Sequence, residues 1–217
     1  GGAAGAAGLL GVQPRVPPPI LSVAISCVGR RLVLGERTEE VNRTAAQLAR
    51  RLADEYTQNT GQERFVAGSI GPSGKLPSMD DPELSNVSFD QLSDIFREQA
   101  KGLLEGGVDL LTIETIPDIA EMHEAIAAAR ACSDLPIIAM LTFAEDGRTV
   151  SGNEAAAVID MLLEHEVDVI GANCSVGPQR LLRVLILDPR DYRHRRGNDF
   201  MPDLKHGHEL LPAQLGH

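Results

Sequence analysis

Three apolar runs, opening at Val108, Pro136 and Val167, are each followed by a stretch of helical periodicity. Their starts lie 28 and 31 residues apart. A fourth run of the same kind, Phe65–Ile70, precedes them. This alternation constrains the fold more than any other feature. Near-continuous apolar strands are expected to be buried on both faces, and strands joined through helices run parallel. Two α/β architectures satisfy the pattern: a doubly wound sheet, or part of an eightfold βα barrel. A complete barrel takes about 250 residues, so four strand–helix units amount to roughly half of one.

The helix boundaries follow from capping signals. Thr38 is placed to cap a helix over Glu39–Tyr56, with Val41, Ala45, Leu48, Leu52 and Tyr56 on its apolar face. A loop rich in proline, serine and aspartate runs from Gly71 to about Val87. Ser88 and Gln91 match a capping box for a helix to Leu104, stopped by Gly106-Gly107. The next helix, Pro117–Arg130, begins with proline and acid. Ser151 and Glu154 match a second capping box, for a helix to His165. Gly177-Pro178 opens a short helix through Leu185.

Composition divides the chain into three. Residues 1–35 contain no acidic side chain, begin Gly-Gly-Ala-Ala-Gly-Ala-Ala-Gly and carry Pro17-Pro18-Pro19; the first acid is Glu36. This low-complexity segment has little side chain to bury. Residues 36–185 are patterned as a folded domain. Residues 186–217 form a polar tail holding four of the six histidines, His194, His206, His208 and His217. His206-Gly-His208 is too small a set to define a metal site.

The net charge of −11 and an aromatic content of 3%, with no tryptophan, disfavour nucleic-acid binding through phosphates or stacked bases. The longest apolar run, Ile20–Val28, is interrupted by Ser22 and Ser26 and falls short of the ~20 residues that cross a bilayer. Only Arg15 precedes it as a basic residue, with prolines between, unlike a signal peptide. Three cysteines, Cys27, Cys132 and Cys174, do not form a disulfide framework and suit a reducing, cytoplasmic setting.

In both architectures chemistry sits at the carboxyl ends of the strands. There the chain places Ser69-Ile-Gly71, Glu114-Thr115, Thr142 and Asn173-Cys174-Ser175. Glu114 lies among Leu110, Leu111, Ile113 and Ile116, where a charge needs either an ion-pair partner or a function. Cys174 reads either as a small buried hydrophobe or as a thiolate at a site. Gly71-Pro-Ser-Gly-Lys75 is not a phosphate-binding loop. Ser69 stands where the first glycine is required, and Leu76 follows the lysine in place of Ser or Thr.

Taken in order, Val66-Ala-Gly-Ser-Ile-Gly-Pro72, Ile113-Glu-Thr-Ile-Pro-Asp118, Leu141-Thr-Phe143 with Asp146-Gly-Arg-Thr149 and Ser151-Gly152, and Gly171-Ala-Asn-Cys-Ser-Val-Gly-Pro178 resemble the homocysteine-binding domain of homocysteine S-methyltransferases. The likeness spans about residues 35–185 and is nearest to the module of cobalamin-dependent methionine synthase, or of bifunctional enzymes fused to methylenetetrahydrofolate reductase. It implies a partial (βα)8 barrel, homocysteine as substrate, and zinc that holds the substrate as its thiolate for methylation to methionine. Thiols titrate near ~8.5, so a zinc ion that removes the proton supplies the nucleophile. The resemblance assigns Cys174 to zinc and Glu114 to the homocysteine amino group. Asn173, Ser69 and Gly71 would line the pocket, as would Thr142. Methylcobalamin or folate on another domain would be one source of the methyl group; S-methylmethionine and betaine are others.

Two parts of the family pattern are missing from this chain. These are the Gly-Gly-Cys-Cys pair that completes the zinc site and the Asp-Gly-Ala motif of the first strand. Cys132, at a helix end on the opposite face, and Cys27 do not replace the pair. The expectation is therefore an incomplete domain with foreign sequence at both ends. Its alternative function is that of an inactive remnant, or of a part that works by assembling with another chain. A barrel lyase or aldolase using a Schiff-base lysine ranks last, since none of the identified strand ends carries a lysine.

Overall fold

The structure is a computed structural model. It describes residues 37–75 and 87–177, Gln179 and Leu181, and the backbone of Ile20–Val23. These belong to the unit Gly1–Leu185; the unit Ile186–His217, with its four histidines, lies outside the described residues.

The elements alternate as the sequence pattern requires: β1 (Ile20–Val23), α1 (Thr38–Thr60), β2 (Phe65–Ile70), α2 (Phe89–Glu105), β3 (Leu110–Ile116), α3 (Ile119–Arg130), β4 (Ile137–Leu141), α4 (Ala155–Glu164) and β5 (Val169–Ala172). β1 adds a fifth strand that the alternation did not include; it falls in the amino-terminal segment and pairs with β2 from Ile20–Phe65 to Val23–Gly68. All neighbours are parallel, and the order is β1-β2-β3-β4-β5. A doubly wound sheet reverses its strand order at a switch point. This sheet does not reverse, so the arrangement is that of part of a βα barrel, as the sequence resemblance implies.

With right-handed crossovers, sequential order puts every helix on the same side of the sheet. The burial pattern agrees. Leu111 and Ile113 of β3, and Ile137, Ala139 and Leu141 of β4, are fully buried. They pack in one core with Leu92, Phe96 and Leu103 of α2 and Met122 and Ile126 of α3. The alternating residues Thr112, Glu114, Ile138 and Met140 are only half-buried. Burial on both faces, expected from the apolar runs, holds in β2, where every residue from Val66 to Ile70 is buried; in β3 and β4 it gives way to burial on the helix side, and Val169 of β5 is half exposed.

The capping expectations divide. Ser88 and Gln91 form a reciprocal capping box at α2. Asp118 caps α3, accepting the Ala120 N–H at 2.8 Å and the Glu121 N–H at 3.1 Å. Thr38 is the first residue of α1 rather than its cap, and Arg37 at the cap makes no side-chain bond. Ser151 and Glu154 form no capping box. Ser151 donates instead to Asp118, and Glu154 pairs with Arg148 at 2.6 Å. The helix expected from Gly177 lies mostly outside the described residues, though the Leu181 N–H donates to Gly177 O at 3.0 Å. No described helix is long and apolar enough to cross a membrane.

Candidate functional site

β2, β3 and β5 end on the same rim, and their last residues meet there. The Ser69 hydroxyl donates to Glu114 Oε1 at 2.6 Å, and Asn173 Nδ2 donates to Glu114 Oε2 at 3.2 Å. Glu114 takes part in none of the described ion pairs. Its partners are neutral donors, so its charge is solvated but not cancelled, and oxygen lone pairs remain for a cation.

Backbone irregularity brings Thr115 and Cys174 to the same place. The β3–β4 register shifts between Ile113 and Ile116, and within that shift Thr115 adopts φ 65°. Cys174 and Ser175 adopt φ 60° and 58°. The left-handed region is costly for residues with a Cβ, most of all for a β-branched one, and such strain concentrates at functional sites. Here it turns Thr115 toward β5. Its N–H donates to Asn173 Oδ1 at 2.9 Å, its Oγ1 accepts from Asn173 Nδ2 at 3.0 Å, and Oγ1 lies 3.6 Å from Cys174 Sγ. Cys174 is exposed on this rim.

The structure brings four of the residues singled out from the sequence together: Ser69, Glu114 and Asn173 in one hydrogen-bonded chain, and Cys174 at its end. Gly71 is buried just beyond β2. Thr142 is buried after β4, its N–H bonded to Ile116 O at 2.9 Å; among the described residues no side-chain hydrogen bond is seen between it and the cluster. Thr115 was not singled out as a site residue. Its place beside Glu114 at a strand end was the available signal; its left-handed backbone was not readable. Cys132 follows α3 at the opposite end of the sheet and packs against the core.

The donor set is a carboxylate, two hydroxyls, an amide and a single thiol. Among the described residues no group of three or more His, Cys, Asp or Glu side chains is placed to hold a metal ion. The arrangement offers a carboxylate to a cationic group at one end and a thiol at the other.

The structure is similar to three crystal structures of the homocysteine methyltransferase MmuM from Escherichia coli. Against the apo form the identity is 20% and the TM-score 0.61, covering 77% of this chain and 59% of that one. Against the metallated form the values are 21%, 0.64, 77% and 61%, and against the oxidised form 21%, 0.62, 77% and 60%. At this identity the likeness establishes the fold, and the chain spans about three-fifths of the length of those proteins. The family model for homocysteine S-methyltransferase matches residues 25–196. That match begins within the acid-free amino-terminal segment, ends within the polar tail and covers well over half of the chain. The chain belongs to the homocysteine S-methyltransferase family.

Proposed function

We propose that this chain provides the homocysteine-binding part of a homocysteine S-methyltransferase. The observation that carries the reading is the chain of bonds Ser69–Glu114–Asn173–Thr115 ending at Cys174. Glu114 accepts the substrate ammonium, Ser69 and Asn173 fix the carboxylate that does so, and Gly71 and Thr142 line the pocket. The homocysteine sulfur lies toward Cys174. The product of methyl transfer would be methionine, in the reducing cytoplasm that free thiols suit.

When bound, zinc would supply a thiolate in place of the substrate thiol. The described residues do not fit it by themselves. Cys174 would be one sulfur ligand, its side-chain hydrogen-bond partner is the neutral Thr115 hydroxyl, and a catalytic zinc site takes three protein ligands. Binding and orienting homocysteine is therefore assigned to these residues, and methyl transfer is not. A single cysteine equally favours the second reading, a remnant of the domain that has lost the metal. The methyl group would come from methylcobalamin on another domain or from a small methyl compound.

Calorimetric titration with L-homocysteine and with 4-mercaptobutyrate, which lacks the amino group, tests the reading. The wild-type chain is expected to prefer homocysteine at least tenfold, and Glu114→Gln to lose that preference. Equal affinity of the wild type for both compounds would sink it. Zinc content of the wild type against Cys174→Ala separates the two readings. Stoichiometric zinc lost in the variant supports an active site completed by other ligands, whereas no zinc in either supports the remnant.

A further inference from the structure

Two residues beyond Gly71 on the loop leaving β2, Ser73 is tied to a carboxyl group that site chemistry does not use. Glu121, in the first turn of α3, is fully buried. Its Oε1 accepts the Ser73 N–H at 2.6 Å and the Ser73 hydroxyl in a short bond. The same Ser73 oxygen accepts the Lys75 N–H at 3.0 Å, so one side chain gathers the loop from Ser73 to Lys75. Oε2 of Glu121 is buried with no hydrogen-bond partner among the described residues.

The turn that carries Glu121 is itself tied on both sides. Asp118 caps it, accepts the Ser151 hydroxyl from the loop after β4, and follows Pro117, whose carbonyl accepts the Val150 N–H at 3.2 Å. Glu121 is thus a fixed post between two rim loops, four residues from Ser69 through Ser73. Leaving a buried carboxyl oxygen unpaired carries a desolvation cost. Packing does not require that cost, because methionine would fill a similar space. Burial pushes the Glu121 pKa up, the Ser73 bonds oppose the rise, and Asp118 adds to it.

We propose that Glu121 is a positioning residue for the homocysteine site: by holding Ser73 it fixes the β2 loop, and with it the Ser69–Gly71 wall that faces Glu114. The proposal rests on the functional reading above, and the test separates the two. Amide hydrogen exchange over residues 71–75 and calorimetric homocysteine affinity are measured on the full chain for wild type, Glu121→Met, Glu121→Gln and Ser73→Ala. Glu121→Met keeps the volume and removes the acceptor. It is expected to speed Ser73 exchange at least tenfold and to weaken homocysteine at least fivefold, with exchange in the body of α3 unchanged. Glu121→Gln keeps an oxygen acceptor for Ser73 and is expected to stay near wild type in both, which a general packing role would not predict. Ser73→Ala retains the N–H bond and should move both readouts the same way by less, and it decides the matter where Glu121→Met fails to fold. Unchanged Ser73 exchange overturns the anchor, and faster exchange with unaltered homocysteine affinity overturns the positioning role. A wild type that does not take up homocysteine removes the functional reading, while the exchange data still judge the anchor.

Discussion

Asn173 makes three side-chain hydrogen bonds, and their directions fix the amide. Oδ1 must accept because the Thr115 backbone N–H can only donate, which leaves Nδ2 to serve Glu114 Oε2 and Thr115 Oγ1. An aspartate could take the first bond but would set its second oxygen against Glu114. Asn173→Asp is therefore expected to destabilise the fold more at neutral pH than in acid. Asn173→Ala, which strands the Thr115 N–H, should cost about 1–3 kcal/mol at all pH values. Urea unfolding of both variants across pH distinguishes charge repulsion from a lost bond. A second residue-scale prediction concerns His165, whose Nε2 lies 2.8 Å from His123 Nδ1 across α3 and α4. Burial lowers its pKa from 6.5 and His123 lowers it further, against a raising effect of Glu164. The unfolded chain then binds a proton at higher pH than the folded one. The stability present above 6.5 is lost as pH falls through the lower folded value. His165→Gln should flatten that part of the thermal-midpoint profile between mildly alkaline and mildly acidic buffer, and an unflattened profile would contradict the assignment.

The elements show where sequence periodicity misleads. Spacing put Val41, Ala45, Leu48, Leu52 and Tyr56 on the inner face of α1, yet Leu48, Leu52 and Tyr56 are 50%, 52% and 44% exposed. The buried face is Thr38, Asn42, Ala46, Ala49 and Ala53. The reason lies in the neighbouring helix, where Gly102 of α2 and Gly106 at its carboxyl cap bring the two backbones close. A Cβ on Gly102 would meet Glu39 O at 2.6 Å, and one on Gly106 would meet Ala46 Cβ at 2.2 Å and Arg43 O at 2.8 Å. Small residues are the ones that fit such an approach, so hydrophobicity alone selects the wrong face. Gly106→Ala is expected to cost about 1–3 kcal/mol through overpacking. Adding Ala46→Gly removes the side-chain clash but not that with Arg43 O, so the double variant should recover part of the loss. Additive costs in urea unfolding would refute contact between the two positions. By contrast, the Ser88–Gln91 box and the Gly106-Gly107 stop were legible because each is a local signal, complete within a few residues.

At the scale of the molecule, the parallel sheet was legible from the repeat of strand and helix, and the rim from the rule that chemistry gathers at strand carboxyl ends. Glu114 and Asn173 stood out as polar groups closing apolar runs. Neither the Thr115 turn nor the Ser73–Glu121 tie could be read, since both join residues more than forty positions apart. The opposite rim carries stability, and one device is used there twice. Asp109 Oδ2 accepts the Val66 N–H at 2.6 Å and Arg50 at 2.7 Å, while Arg50 reaches Arg64 O at 3.1 Å. Asp168 Oδ2 accepts the Ile137 N–H at 2.8 Å and Arg130 at 3.2 Å, while Arg130 reaches Leu135 O at 2.6 Å. Each clamp ties the start of one strand to the residue before the next, β2 to β3 and β4 to β5. The backbone bond from Ile137 is the largest influence on Asp168; with Arg130 it lowers the pKa from 3.8 against the opposing effect of burial. The folded state therefore releases that proton more readily than the unfolded one. Stability from the clamp is present above 3.8 and is lost as pH falls through the lower folded value. Asp168→Asn should unfold at lower urea than wild type at neutral pH, and the gap should close as both are taken below that range. A gap that persists undiminished in acid would mean that Asp168 acts through its shape and not its charge.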